Sequence, residues 1–342
     1  MGSLLGRRGL AAALATVLLG LALGGCASAP APGSAASGSS DAASEPVTVR
    51  VASLKGPTSI GLVPFMEHAG SGELKADYDF QITAAADQIV PQVIKGDVDI
   101  ALVPANVASV LYNKTEGGVK VIDVNTLGVL HVVTGDQSLT AFSDLAGRTV
   151  YLTGKGTTPE YVMNHLLDRA GIADSVTLEF KSEPTEVVSA LAADPSAVGV
   201  LPEPFVTAAR AKNEALLVPV SLEDAWAELA QDEGSQLVTG VTVVRSEFAE
   251  AHPEVVAEFL AEHEASAEAV KGDPKAWGQG VVDAGIVDDP TIAARAIPGC
   301  GIACLTGDEL ESALSGYLKV LFDADPASIG GSLPGEDFYF GE

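Results

Sequence analysis

Val47-Thr48-Val49-Arg50-Val51-Ala52-Ser53-Leu54-Lys55-Gly56-Pro57-Thr58-Ser59 combines a β-rich run, a glycine turn and the first residues of a helix. The same order of strand, turn and helix recurs along the chain. Further β-rich runs occupy residues 79–84, 98–103, 119–125, 128–134, 149–153, 176–180, 197–201 and 216–220. Strands that alternate with amphipathic helices pack as layers of helices against a sheet. The chain is therefore expected to have an α/β fold.

This pattern divides the body of the chain into three parts. A first α/β unit spans residues 47–133, a second spans 134–238, and a mainly helical part spans 239–342. Helices of the last part carry single apolar stripes, which other elements must cover, and packing on the first unit is the simplest solution. We therefore expect two lobes, a hinge of two crossovers near residues 129–134 and 237–244, and a ligand cleft at the carboxyl ends of the strands.

The N-terminus has the pattern of a lipoprotein signal peptide. Arg7 and Arg8 precede an apolar run over residues 9–23, and Leu23-Gly24-Gly25-Cys26 follows as a lipobox. The run is shorter than the roughly 20 residues that span a bilayer. Residues 1–25 are therefore predicted to be removed. Cys26 is predicted to carry lipid that anchors the protein to the extracytoplasmic side of the cell membrane. Residues 26–46, rich in Ala, Ser, Gly and Pro, are predicted to form a disordered tether.

Charge excludes one class of partner. The chain has 19 Lys and Arg against 46 Asp and Glu, and removing Arg7 and Arg8 with the signal takes the formal net charge from −27 to −29. Such an acidic chain is a poor ligand for nucleic acid, which is itself an anion. No second apolar run is long enough to span a membrane, so the body is expected to be soluble.

Two cysteines remain once Cys26 is assigned to lipid. Cys300 and Cys304 lie four residues apart in Pro-Gly-Cys-Gly-Ile-Ala-Cys, and a lone pair in an exported chain predicts a small disulfide loop. A metal site needs more ligands than two thiols, and none of the five histidines is near in sequence. The sequence therefore predicts no metal site, and no cofactor.

Four short stretches carry a family resemblance. They are Val51-Ala52-Ser53-Leu54-Lys55-Gly56-Pro57-Thr58, then Ile94-Lys95-Gly96-Asp97-Val98-Asp99-Ile100-Ala101 running into Pro104-Ala105-Asn106, then Asp144-Leu145-Ala146-Gly147-Arg148-Thr149-Val150, and Leu201-Pro202-Glu203-Pro204-Phe205. Each alone could occur in any α/β protein. In this order, behind a lipobox, they resemble the substrate-binding lipoproteins of ABC importers, in the nitrate, sulfonate, taurine and thiamine-precursor branch of the periplasmic-binding-protein type 2 fold.

The resemblance covers essentially the whole mature chain and implies a function. It implies a monomeric receptor that captures a small molecule between two lobes and delivers it to an ABC permease and its ATPase. The ligand class stays open between a sulfonate-like or nitrate-like anion and a heterocycle of the thiamine-precursor kind. Enzymes of the menaquinone and pyrimidine-forming pathways share this architecture, and a surface lipoprotein that senses a ligand is a third possibility.

Two glycine turns are candidate ligand contacts. In the first, Gly56, Pro57, Thr58 and Ser59 either cap a helix or face the cleft with their amides and hydroxyls. In the second, Gly156, Thr157 and Thr158 lie in Thr153-Gly154-Lys155-Gly156-Thr157-Thr158-Pro159-Glu160, between a strand and a helix. Lys155 before Gly and Thr suggests a P-loop, but the earlier glycine of that motif is missing.

Four further residues follow strands and are weaker candidates for ligand binding. Asn106 either caps its helix or offers a donor and an acceptor to a ligand. Thr126 lies at a comparable strand end. Glu203 and Phe205 supply an acceptor and a ring, or else only start a helix.

No catalytic motif was found. A Gly-x-Ser-x-Gly elbow and a His-Glu-x-x-His metal motif are both missing. Glu262-His263-Glu264 is interpreted as a solvated helix face, and His131 as a buried or half-buried histidine without ligand contact. The chain is therefore expected to bind its ligand without transforming it.

Overall fold

A computed structural model describes residues 46–230 and 235–341. The predicted signal peptide, Cys26 and the tether up to residue 45 lie outside these described residues. None of the helices in the two described ranges combines the length and hydropathy that crossing a bilayer requires.

The strands follow the predicted alternation. They are β1 (Thr48–Leu54), β2 (Asp77–Thr83), β3 (Ile100–Pro104), β4 (Val119–Thr126), β5 (Leu130–Thr134), β6 (Thr149–Leu152), β7 (Thr177–Phe180), β8 (Val198–Pro202), β9 (Leu217–Ser221), β10 (Gly240–Arg245) and β11 (Ile302–Leu305). The first nine coincide with predicted β-rich runs to within about two residues.

The α-helices connect and cover these strands. They are α1 (Pro57–Ile60), α2 (Val63–Ala69), α3 (Ala86–Lys95), α4 (Ala105–Lys114), α5 (Thr158–Arg169), α6 (Pro184–Ala193), α7 (Phe205–Lys212), α8 (Leu222–Leu229), α9 (Ser246–Ala251), α10 (Pro253–Gly272), α11 (Pro274–Asp283), α12 (Pro290–Ala296) and α13 (Gly307–Ala324). Short 3-10 helices lie between some of them, among them Pro326–Ile329.

Local sequence explains these elements. Four consecutive residues of β3, Ile100 to Val103, are fully buried because helices cover both faces of the central strands. Helix α3 buries Ala86, Ile89 and Val93 on one stripe and ends at Gly96, whose φ of 77° is a left-handed cap that favours glycine. The pattern of apolar residues therefore fixes each element and the face that it buries.

Two mixed sheets form the two lobes. The first has the strand order β11-β4-β10-β3-β1-β2, with β1 parallel to β2 and β3, and β10 antiparallel to β3 and β4. The second has the order β7-β6-β8-β5-β9, with β6 parallel to β7 and β8, and β5 antiparallel to β8 and β9. Strand β5 belongs to the second sheet, so the chain leaves the first sheet after Thr126, earlier than the expected boundary at 133. It returns at Gly240.

The C-terminal part covers the first sheet and also touches the second lobe. Helix α10 packs on α2 and β11, while α13 contacts α4 of the first lobe and α5 of the second. On α13, the ring of Tyr317 lies 5.6 Å from that of Trp226 in α8. Helix α13 therefore lies against elements of both lobes.

The predicted disulfide is absent, and a strand takes its place. Cys300 and Cys304 are both free thiols. Cys300 is buried, and its Sγ lies 3.3 Å from the carbonyl oxygen of Ala296. Residues Ile302–Leu305 pair antiparallel with β4, and this extended strand carries Cys304 along the sheet instead of closing a tight loop.

Candidate ligand-binding cleft

A cavity of about 530 Å³ is lined by both lobes. The first lobe contributes the segments after β1 and β3 and the start of α3. The second contributes the segments after β6 and β7 and the last residue of β8, Pro202. Both crossovers complete the wall, at Val129 and Thr239. These are the carboxyl ends of strands, where open α/β folds bind their ligands. The geometry makes this cleft the candidate functional site.

The first glycine turn contributes two of its four candidates to the cleft wall. Pro57 and Thr58 line the cavity, whereas Gly56 and Ser59 do not. The Thr58 hydroxyl donates to the carbonyl of Leu54 at 3.1 Å, and that of Ser59 donates to the same carbonyl at 2.6 Å. Both hydroxyls therefore hold the turn against the end of β1.

The second turn lines the cavity with Gly156, Thr157 and Thr158. The Gly156 N–H donates to the carboxylate of Glu160, and the Thr157 hydroxyl donates to the Gly154 carbonyl at 2.7 Å. The Gly156 N–H, a candidate donor to an anionic ligand, is therefore already bonded to a carboxylate from the first turn of α5. Gly154 and Gly156 have φ of 79° and 75°, which explains the glycines of this turn.

Asn106 and Thr158 connect the lobes at the back of the cleft. Asn106 is fully buried and donates through Nδ2 to the Ser328 carbonyl at 2.9 Å and to the Gly156 carbonyl at 3.4 Å. Its Oδ1 accepts from the Thr158 hydroxyl at 3.4 Å. Asn106 does not line the cavity, so its amide holds the two lobes in register.

Three other candidates lie away from the cleft. The Thr126 hydroxyl donates to Asn125 Oδ1 at 2.8 Å, inside the first lobe. Glu203 turns toward α7 and accepts from the N–H and the hydroxyl of Thr207 at 3.0 and 2.9 Å, and burial raises the pKa of its carboxyl. Phe205 is buried in the core of the second lobe with Val133, Val187 and Leu201. None of the three lines the cavity.

Lysines are the charged residues that sequence reasoning missed. Lys55, Lys114, Lys155 and Lys181 line the cleft, against the single acid Asp87. Lys181 is paired with Glu179 at 2.6 Å, whereas the other three form no ion pair with any described residue. Three of the four follow directly, or within three residues, the ends of β1, β6 and β7. That position after a strand is the signal that could have identified them.

Thr239 is a further cleft residue that the sequence did not indicate. It lies at the return crossover and lines the cavity, and its Oγ1 is buried without a hydrogen-bond partner among the described residues. A buried hydroxyl without a partner costs about 1–3 kcal/mol. The Thr239 hydroxyl is therefore available to hydrogen-bond a ligand.

The rest of the lining is mainly aliphatic. Val90, Val107, Val110, Val129 and Leu130 contribute to the wall, and none of the described lining residues is aromatic, His, Cys or Arg. The cleft thus combines apolar walls with ammonium groups and a few hydroxyls.

Comparison with solved structures identifies the architecture. An ABC transporter structure from Parabacteroides distasonis superposes with a TM-score of 0.71 at 22% identity, covering 86% of this chain and 98% of the other. The chain has the periplasmic-binding-protein type 2 fold. Neither protein-family profiles nor curated protein sequences match it.

Two further neighbours share this periplasmic-binding-protein fold. The alkanesulfonate-binding protein SsuA from Xanthomonas axonopodis pv. citri, bound to MOPS, has a TM-score of 0.65 at 13% identity, over 85% of this chain and 96% of that one. The periplasmic nitrate-binding protein NrtA from Synechocystis has a TM-score of 0.56 at 10% identity, over 78% and 75%. The two-lobed fold expected from the sequence is therefore confirmed.

Proposed function

We propose that this chain is the solute receptor of an ABC importer and that its ligand is a small organic anion with an apolar part. The observation that carries the proposal is the charge of the cleft. In a chain of net charge −27, four lysines and one acid surround the cavity. Charges of one sign that line a cleft concentrate ligands of the opposite sign.

The cavity walls and volume support an organic anion over nitrate. Nitrate has no apolar part to bury against Val107 or Leu130, and about 530 Å³ is far more than it needs. A sulfonate with an alkyl or ring substituent uses both the lysines and the aliphatic walls. The name of the neighbour SsuA, an alkanesulfonate-binding protein, agrees with this choice.

A heterocycle of the thiamine-precursor kind is the weaker alternative. Such ligands are held best by aromatic rings and by acceptors. The ring expected from Phe205 lies in the core of the second lobe, and Glu203 is engaged with α7. Aromatic side chains are missing from the described cleft lining.

The proposal also includes a lipid anchor at Cys26, which holds the receptor at the membrane. There the receptor delivers its ligand to a permease and its ATPase. The fold of the neighbours and the lipobox support it, and a sensing lipoprotein would use the same cleft. A catalytic role has less support, because the described lining residues include neither His nor Cys as a nucleophile or proton carrier.

The test is to identify the ligand directly. The mature protein, purified without added ligand, is denatured, and the released small molecules are analysed by mass spectrometry. A thermal-shift screen then compares MOPS and short alkanesulfonates with nitrate and with neutral pyrimidines. We expect stabilisation by at least one sulfonate that rises with concentration. Stabilisation by a pyrimidine alone would refute the anion proposal, and product formation would refute the receptor proposal.

A further inference from the structure

A second polar site lies in the first lobe, apart from the cleft. Asp123 on β4, His263 on α10 and Cys304 on β11 each offer one donor atom, and these atoms lie within 4.8 Å of one another. Asp123 and His263 are 0% and 1% exposed, while Cys304 is half-buried. The expectation that residues 262–264 form a solvated face is thus wrong for His263, which α10 turns into the lobe.

Hydrogen bonds hold Asp123 and His263 in place. The Thr126 hydroxyl donates to Asn125 Oδ1 at 2.8 Å, and Asn125 Nδ2 lies 3.1 Å from the Thr242 hydroxyl. The Thr242 hydroxyl donates to Asp123 Oδ1 at 2.8 Å, and Asp123 Oδ2 lies 3.0 Å from His263 Nδ1. Thr242 is thus an outer contact that orients the Asp123 carboxylate, and this carboxylate in turn orients the His263 imidazole. Outer hydrogen bonds of this kind are typical of metal ligands in proteins.

We infer that Asp123, His263 and Cys304 form a binding site for a divalent cation of borderline softness, of which Zn²⁺ is the best match. Imidazole, thiolate and carboxylate are the three donor types that Zn²⁺ binds. Tetrahedral bonds of ordinary length place the donor atoms about 3.3–3.6 Å apart. Because the donor atoms lie within 4.8 Å of one another, a side-chain movement of at most about 1 Å brings them to this spacing, and half-buried Cys304 can make that movement.

Charge balance favours a metal at this place. One carboxylate, one thiolate and a neutral imidazole carry two negative charges, which one Zn²⁺ ion neutralises, so the filled site buries no net charge. Cys304 binds by losing its thiol proton to solvent as the Zn–S bond forms. Partial exposure of Cys304 gives the ion a path into the lobe, and the fourth coordination position is left for water.

The same three residue types occur in cysteine hydrolases, but this geometry does not suit a nucleophile. Asp123 and His263 are buried, so a substrate has no access to the imidazole. Burial also raises the pKa of the Cys304 thiol well above its usual range, with the Asp123 carboxylate adding to the effect, and a thiol is a poor nucleophile. A metal ion is small enough to reach the donors.

The test uses metal alone and a matched pair of cysteine variants. The mature chain is freed of metal with a chelator, and Co²⁺ and Zn²⁺ are titrated into wild type, Cys304→Ser and Cys300→Ser. Cys300 is the other free thiol of the body but is absent from the donor cluster. We expect one ion per chain and a near-ultraviolet thiolate-to-cobalt band in wild type and in Cys300→Ser. In Cys304→Ser the band disappears and Zn²⁺ affinity falls by at least about 100-fold.

Alkylation gives a second measurement that does not depend on the fold of a variant. Bound Zn²⁺ is expected to slow alkylation of Cys304 in the wild-type protein while leaving that of Cys300 unchanged. Equal protection of the two thiols, absence of stoichiometric metal, or a cobalt band that survives Cys304→Ser would overturn the site. So would a Cys300–Cys304 disulfide in the protein as it is purified from its native compartment, because the bridge removes the thiolate ligand.

Discussion

Asn106 of the first lobe accepts a hydrogen bond from the hydroxyl of Thr158 in the second lobe at 3.4 Å. The same amide donates to the Ser328 carbonyl at 2.9 Å, so one buried side chain ties α4, α5 and the C-terminal segment together. The sequence indicated both residues as candidate ligand contacts. The structure gives both a structural role beside the cleft, and Thr158 also lines the cavity.

Replacing Asn106 is expected to be costly. Asn106→Ala leaves the Ser328 carbonyl and the Thr158 hydroxyl without their shared partner in a buried place, and should lower the free energy of unfolding by about 1–3 kcal/mol. The measurement is urea denaturation. Asn113→Ala is the matched control, because Asn113 also donates to carbonyls of this segment, Ile329 and Ser332, but is half-buried. Equal losses in the two variants would argue against a special role for Asn106.

The cleft lysines should set ligand affinity. Lys55→Ala and Lys155→Ala are each expected to weaken binding of an anionic ligand by about 3- to 10-fold, since partly exposed charges contribute about 1 kcal/mol. Isothermal titration at low and high salt provides the measurement, with affinity falling as salt rises. Lys319→Ala, which removes an exposed lysine paired with Asp323 on α13, is the control. Affinities unchanged in both cleft variants would contradict an anionic ligand.

Thr239 should contribute through its hydroxyl alone. Thr239→Val keeps the shape and removes the unpartnered Oγ1, so the free protein should be as stable as wild type or more so. Ligand affinity should fall by about fivefold, the loss of one hydrogen bond of about 1 kcal/mol. Thr239→Ser, which retains the hydroxyl, should bind nearly normally. The proposal for this residue fails if Val and Ser variants bind alike.

Glu203 should affect stability and leave ligand binding alone. Glu203→Gln keeps an acceptor for the Thr207 N–H and should bind the ligand as wild type does. Because burial raises the folded-state pKa of Glu203 above its usual value, ionisation disfavours the folded state, and this penalty grows as pH rises through the folded pKa. Glu203→Gln removes the penalty, so its stability relative to wild type should increase from acid to neutral pH. A large change in ligand affinity would contradict this prediction and indicate that Glu203 contacts the ligand.

Asp136 predicts a pH dependence of the opposite sign. Hydrogen bonds from Ser138 and then Arg148 lower the pKa of Asp136 to about 2. The carboxylate therefore stabilises the fold at pH values above 3.8, the ordinary pKa of this group. This contribution is lost as the pH falls toward the folded-state pKa of about 2. Asp136→Asn should be less stable than wild type at neutral pH, with the difference vanishing in acid. Urea denaturation across this pH range is the measurement. Asp288→Asn, a change at an exposed aspartate, is the control. A difference independent of pH would assign the effect to packing.

Much of the fold followed from local pattern. Buried runs such as Ile100 to Val103, and Gly96 at the end of α3, specify strands and caps through neighbours that are close in sequence. Strand β11 was missed because Ile302–Leu305 is short and flanked by glycine, and only pairing with β4 makes it extended. The sequence placed the first lobe boundary at residue 133, whereas the chain leaves the first sheet after Thr126. The apolar run that forms β5 suits a buried strand of either sheet, so its pattern does not show which sheet it joins.

The sequence by itself determined the α/β class, the order of the elements and the turns that reach the cleft, since these depend on periodicity and turn chemistry within a few residues. Tertiary structure decided which side chains face the cavity, and it turned Ser59, Glu203 and Phe205 away while bringing in Lys55, Lys155 and Thr239. It also brought Asp123 together with His263 and Cys304, which lie 140 or more residues further along the chain. Contacts between such distant residues depend on the order of the strands in the sheet and on the rotation of each helix about its axis. Local sequence patterns encode neither of these.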